Sequence, residues 1–483
     1  MAKTLLFVLA IISLVGCDGL EGLQDAKTKS VEVSRSDVST PGVSTAIFDR
    51  DVVTTSVIDW LQTEVEKDSV IVFADPMDAF GYRFVELALS MGQLDGDYVD
   101  AYHGPEVLQE KAEREDINVA ELAERIATAR EGLKQVQTLK TETPVDPVRA
   151  ALLDKLLRGM ATRLEVIADE EVAFDTEVTR IYDEAIPVYD LTVYDDVLAR
   201  IDALLPGDGP LYERVDGFRN TLAIPKDKLQ AVFDRAIAEC RARTQVHFDL
   251  PAGENFRMEF VTDKAWSGYN YYQGGYESLI QINTDFPIII DRAVDLGCHE
   301  GYPGHHVWNL FIERELVGKR GWIEYSVNPL FGPFGPIAEG SANYGIKLAF
   351  PGDEKITFEK EVLFPMAGLD PALAQKLDDL NALTGQLSHA TNEIARQYLD
   401  GKLTAEEAVP LIQKYYLAST EKSQQRLRFI DKYRAYVINY NIGLDRAGSW
   451  VEAAGANEAA RWAAFEEMLT RPMTPSDIIK AGE

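Results

Sequence analysis

Residues 299–306 read His-Glu-Gly-Tyr-Pro-Gly-His-His and hold three of the chain's six histidines. In an unbroken helix His305 would lie about 240° round from His299, and His306 would share its face but about 10 Å along the axis. Donors to a single zinc must each lie about 2.0–2.1 Å from it, so an unbroken helix brings neither histidine to His299. The sequence supplies a break. Pro303 lacks the N–H that would bond the His299 carbonyl, and its ring clashes there. It also pushes Tyr302 out of helical geometry, while Gly301 and Gly304 tolerate unusual angles. The segment is therefore expected to bulge between Glu300 and His305. A two-residue bulge would put His305 beside His299, and a three-residue bulge would put His306 there instead. A His-Glu pair with a further histidine near it is the pattern of a zinc site in which the glutamate is the base for a bound water. The candidate ligands are His299 and His305, with His306 as the alternative to His305, and the candidate base is Glu300. The competing reading is a histidine-rich turn without metal, but proline and glycine inside an otherwise helical ligand segment serve no packing purpose.

The remainder of the 483 residues bounds the setting. Hydrophobic residues make up 46% of the chain, enough for a large core. The formal charge of −31 excludes nucleic acid as a partner, because its phosphates would be repelled, and argues against electrostatic docking on anionic lipid. Lys3 precedes the apolar stretch Leu5–Val15, which is short for a membrane span and right for a signal-peptide core. Leu14-Val15-Gly16-Cys17 then resembles a bacterial lipoprotein signal. Residues 1–16 are thus expected to be removed, Cys17 to carry lipid, 17–45 to be a polar tether, and 46–483 to form one helical domain. Membrane contact is expected through that lipid only, at the periplasmic face of the envelope; Asp18 resembles an inner-membrane retention signal. An uncleaved anchor or an ordinary signal peptide is the alternative. Cys240 and Cys298 could pair, although Cys298, beside His299, reads more simply as a buried small residue.

The pattern beyond residue 46 is mainly helical. Asp75-Pro76 opens a helix, an N-cap followed by proline at the first turn. Long helical patterns follow over 105–140, 147–160, 190–204 and 225–243, then 336–349, 353–363, 370–400, 404–417, 419–440 and 456–470. Between the two groups, Phe256–Val261 alternates as a strand does and Leu279–Asn283 reads as a second strand. The aromatic, glycine-rich stretch 266–275 between them reads as a loop. A small sheet therefore precedes the metal segment, and its edge suits an extended peptide.

The first motif, followed by Ala338-Glu339-Gly340-Ser341-Ala342-Asn343-Tyr344, resembles the bacterial "domain of unknown function 885" family. Asn270–Gly275 with Gln281–Thr284, and Asn439–Gly443, are similar to further segments of that family. The resemblance covers roughly 45–470 and implies a mainly α, zincin-like fold, related to the gluzincins, with metallopeptidase activity. It makes Glu339 the third zinc ligand, with Asn343 placed to orient it. Two departures stand out. Ser341 replaces the family's usual tryptophan, and the histidine the family carries before a later helix has no counterpart in Leu399–Ala408.

Two imidazoles and one carboxylate leave a position for water. Zinc would be the cofactor and a peptide the substrate, with Glu300 moving the proton. The resemblance suggests Tyr440 as donor to the oxyanion, with a core aromatic as the competing reading. Tyr271 and Tyr272 could line the substrate groove. Among Arg426, Arg428 and Arg434, one could bind a peptide carboxylate bidentately, and Arg434 is the residue chosen. Two other readings stand beside a carboxypeptidase or oligopeptidase: a zinc hydrolase of another amide or ester, and a non-catalytic helical binding lipoprotein.

Overall fold

The structure, a computed structural model, describes residues 75–138 and 145–482. The signal peptide, Cys17, the tether and residues 46–74 lie outside the described residues. The fold is mainly α, with two small sheets. The first helix is Pro76–Leu94, where the Asp75 carboxylate accepts from the Met77 N–H and closes the N-terminus. Several long sequence patterns divide. The stretch 105–140 forms Glu106–Arg114 and Val119–Val136, with Asn118 capping the second helix. The stretch 370–400 forms Ala374–Gly385 and Ala390–Leu399, and 419–440 becomes Thr420–Tyr433 followed by the tighter helical turns Arg434–Asn439.

Five short strands are present among the described residues: β1 Val99–Tyr102, β2 Asn255–Val261, β3 Gly268–Gly274, β4 Glu277–Asn283 and β5 Val327–Pro329. β1 pairs antiparallel with β5, while β4 lies between β2, parallel to it, and β3, antiparallel to it. β3 corrects the expected loop. Its register on β4 runs from Gly268 opposite Ile282 to Gly274 opposite Glu277, and residues 269–272 alternate between the two faces.

Two features fix the elements that carry the metal segment. Cys240, on the helix Leu229–Gln245, is disulfide-bonded to Cys298, and both are fully buried. The simpler reading of Cys298 as an unpaired small residue is thereby corrected. The covalent tie holds the residue next to His299 against that helix. The second feature is a glycine-on-glycine crossing of the helices Gly335–Ala349 and Ile442–Ala453. A Cβ on Gly340 would lie 2.1 Å from the Gly443 carbonyl oxygen, and one on Gly443 would lie 2.2 Å from the Pro336 oxygen. These glycines belong to the two separate motifs around Glu339 and Tyr440, and their contact brings the motifs together.

Overpacking a core contact costs typically about 1–3 kcal/mol. Gly340→Ala is expected to destabilise the domain by that order, measured by denaturant unfolding, because neither backbone can yield without separating the helices. Wild-type stability in this variant would contradict the close approach.

Candidate metal centre

The metal segment is built by reversal of the chain. Residues Gly297–Gly301 form a wide helical turn of the π type. Tyr302 is then extended, its peptide bond to Pro303 is cis, and a new helix begins at His305 and runs to Phe311. The Gly304 N–H bonds back to the Cys298 carbonyl at 3.0 Å. A Cβ on Gly304 would sit 1.8 Å from the His299 oxygen, so only glycine fits this return. The break falls between Gly301 and His305, and it sets His305 Nε2 3.2 Å from His299 Nε2.

His305 and His306 then point to different places. His306 is fully buried; its Nε2 lies 3.0 Å from Glu254 Oε2 and its Nδ1 2.8 Å from Ser278 Oγ. Burial outweighs Glu254 and lowers its pKa; because a carboxylate can only accept, His306 Nε2 donates to Glu254. Glu254 also accepts from the Tyr302 hydroxyl and from Arg241. Burial would raise the Glu254 pKa, yet these hydrogen bonds hold it down at about 2. His306 is therefore committed to an anchor behind the turn, and as the alternative ligand it is displaced from the cluster by that pairing. Glu254 is invisible in the sequence, where it is a lone acid before a strand.

The third member comes from the helix Gly335–Ala349. Glu339 Oε2 lies 3.2 Å from His299 Nε2 and 3.6 Å from His305 Nε2. Three donors around a tetrahedral zinc at about 2.0–2.1 Å would stand about 3.3 Å apart, so the spacing fits the ion. Glu339 Oε2 is buried and has no hydrogen-bond partner, which leaves it free for a cation. Burial would neutralise Glu339, but His299 and His305 hold its carboxyl well below the usual carboxylate range. Burial likewise disfavours charge on His305, and Glu339 overcomes it, lifting the pKa to about 9. Among the described residues, His299, His305 and Glu339 form the one group of three histidine, cysteine or acidic side chains close enough together to hold a metal ion.

The candidate ligands are held from behind. The Tyr436 hydroxyl donates to Glu339 Oε1 at 2.6 Å. Asn343 bonds His299 Nδ1 through its Oδ1 at 3.0 Å, which leaves His299 Nε2 free to coordinate. Asn343 thus orients a histidine rather than Glu339, and its amide also donates to the Tyr440 carbonyl at 3.2 Å. Tyr436 is not among the expected site residues, although it stands four residues before Tyr440, which closes the same helical turns.

Glu300 follows His299 and is buried; burial raises its pKa although His299 and His305 oppose the rise. β3 passes directly over it. A Cβ at Gly268 would meet Glu300 Oε1 at 2.8 Å, and the Asn270 side-chain amide donates to the Glu300 carbonyl at 2.7 Å. All four residues open onto a cavity of about 930 Å³ that also reaches Asp100, Tyr269, Arg426, Phe429, Tyr436 and Tyr440. Burial, with Glu339 and Glu300 nearby, keeps the Tyr440 phenol protonated, since its pKa is raised well above the ordinary value.

The other expected substrate residues lie elsewhere. Tyr272 is buried with its hydroxyl on Glu313, so it packs rather than lines the cavity. Tyr271 packs tilted against Tyr269, ring centroids 4.5 Å apart, and Tyr269 is the member of the pair on the cavity wall. Arg434 is bound to Glu177 and to the Val172 carbonyl, so the acid that pairs with it takes it out of the groove.

No protein-family model matches the chain, that of the resembled family included, and no curated protein is similar to it in sequence. Solved structures align with the chain at low similarity. A candidate lipoprotein from Colwellia psychrerythraea is 12% identical with a TM-score of 0.45, covering 86% of this chain and 77% of that one. A candidate lipoprotein of unknown function from Shewanella oneidensis is 12% identical at 0.45, covering 84% and 76%. The M32 carboxypeptidase from Deinococcus radiodurans is 14% identical at 0.39, covering 84% and 94%. At such values they bear on neither the site nor its chemistry.

One zinc per chain is expected after reconstitution, measured by elemental mass spectrometry on untagged protein. His305→Ala should lose it and His306→Gln should keep it, at some cost in thermal stability. Retention by the first and loss by the second would reverse the assignment of the two histidines.

Proposed function

We propose that the chain is a zinc-dependent peptide hydrolase, anchored by lipid on Cys17 at the periplasmic face of the bacterial envelope. The observation that carries the catalytic reading is a partnerless, buried Glu339 Oε2 beside two imidazole nitrogens, with a buried glutamate adjoining one of them. Zinc in that position would supply a Lewis acid and a water of lowered pKa. The Glu300 carboxylate takes a proton from the attacking water as its oxygen joins the scissile carbonyl carbon. Glu300 then gives that proton to the departing nitrogen as the C–N bond breaks. A raised pKa suits a group that must both accept and release a proton near neutrality. The Tyr440 hydroxyl is the hydrogen-bond donor offered to the carbonyl oxygen as it gains charge. Tyr436 and Asn343 keep Glu339 and His299 aimed at a single point.

Glu300→Gln should keep a full equivalent of zinc and lose about 10²–10⁴-fold in turnover, measured on a peptide library digested by the wild type. Undiminished cleavage would remove Glu300 from the chemistry. Wild-type protein that holds zinc but cleaves esters or other amides, and no peptide, would move the reading to another hydrolase. No helix among the described residues is long and apolar enough to cross a membrane. The envelope reading is checked by Cys17→Ser, which should shift the protein from the membrane to the soluble fraction or leave it unprocessed. An unchanged membrane fraction would point to an uncleaved anchor.

A further inference from the structure

The cavity walls carry several cations in a chain whose acids outnumber its bases by 79 to 48. Some are neutralised in place. Lys422 pairs with Asp216 at 2.6 Å, and Lys355 with Asp295 at 3.2 Å and Glu359 at 2.9 Å. Arg426 is different. Its Nε is buried and has no partner, and no ion pair joins it to any described acid. Its guanidinium is braced by two rings, 4.9 Å from Phe429 and 5.8 Å from Tyr416. Such bracing fixes the planar fork without satisfying its N–H groups.

Its position relates it to the reaction centre. The helix Thr420–Tyr433 turns Lys422, Gln425, Arg426, Phe429 and Tyr433 toward the cavity, at the spacing of one helical face. The Phe429 ring lies 6.3 Å from that of Tyr440, which lies 5.8 Å from Tyr436, the residue bonded to Glu339. The Tyr440 phenol responds to Glu339 and Glu300 and, in the opposite sense, to Arg426. Arg426 is thus an unpaired cation one aromatic residue away from Tyr440. A half-buried guanidinium whose buried Nε–H has no acceptor is open to an anion that would complete it. Planar carboxylates match its fork with two parallel hydrogen bonds.

We propose that Arg426 receives the free α-carboxylate of a peptide, so that the cleft selects carboxyl termini and hydrolysis falls near the end of the chain. This deepens the peptidase reading and rests on it. The carboxylate supplies what Arg426 lacks, and an extended peptide advances about 3.3–3.6 Å per residue, so the scissile bond lies at most a few residues away.

The test uses an N-acetylated peptide mixture prepared both as free acids and as C-terminal amides, with zinc-loaded protein. The wild type should hydrolyse the acids at least about 100-fold better in kcat/KM, because a site built for a polar group rejects the analogue lacking it. Arg426→Ala should bring the acids down to the level of the amides, mainly through KM, with zinc content unchanged, and Arg426→Lys should restore part of the preference. Equal cleavage of acids and amides by the wild type would overturn the proposal, as would an undiminished preference in Arg426→Ala. Binding to the Glu300→Gln protein, measured by calorimetry, separates the two readings. If the wild type cleaves no peptide, the peptidase reading falls. Tighter binding of acids than amides, abolished by Arg426→Ala, would still support the carboxylate site; equal binding would refute it.

Discussion

The return of the chain between Gly301 and His305 is the constraint on which the site depends. A continuous helix cannot present residues six apart to one ion, so the site needs the reversal and the contacts that fix its geometry. Three contacts hold it. Gly304 bonds back to the Cys298 carbonyl, the Cys240–Cys298 disulfide fixes the outgoing turn, and Glu254 grips both Tyr302 and His306. Adjacent residues on the new helix diverge by about 100°, so anchoring His306 inward leaves His305 facing the cleft. The second of the paired histidines is a structural group that aims the first.

The third candidate ligand depends on a different contact. Glu339 sits one residue before Gly340, and Gly340 lies against Gly443 at backbone distance. Any side chain there would lift the helix that carries Glu339 away from the segment that carries Tyr436 and Tyr440. The Asn343 amide joins the same elements, since it touches His299 through one atom and the Tyr440 carbonyl through the other. Candidate ligand, orienting amide and phenol are therefore tied into one packed unit. A small residue at position 341 is consistent with this crowding: Ser341 is almost fully buried and bonds its own helix at Ala338.

The histidine segment was legible because proline and glycine at those positions have only one economical explanation, and helix type followed from apolar spacing. What escaped the sequence shares a cause: each depends on contacts between distant residues. Nothing local says that Cys240 meets Cys298, or that Glu254 rather than a metal claims His306. β3 read as a loop because its glycines, asparagine and tyrosines suggest one, yet Tyr269 and Tyr271 lie on one face and Asn270 and Tyr272 on the other. Arg434 and Arg426 are indistinguishable as sequence. Glu177 lies opposite the first and no acid lies opposite the second, and that difference exists only in the fold.

The charge of the body bears on how a carboxylate could be chosen at all. At −31 the protein repels an anionic peptide end from a distance. Screening confines that repulsion to about 8 Å at physiological ionic strength, so it slows approach without deciding what is held inside. Within the cavity the balance is local. Lys422 and Lys355 have their acids beside them, and Glu300 and Glu339 face the imidazoles. The guanidinium of Arg426 is the group near Tyr440 whose charge no neighbouring carboxylate cancels. Selection then rests on short-range, directional pairing rather than on the field of the whole protein. An acidic surface and a taste for carboxyl termini are thus compatible, because the two act over different distances.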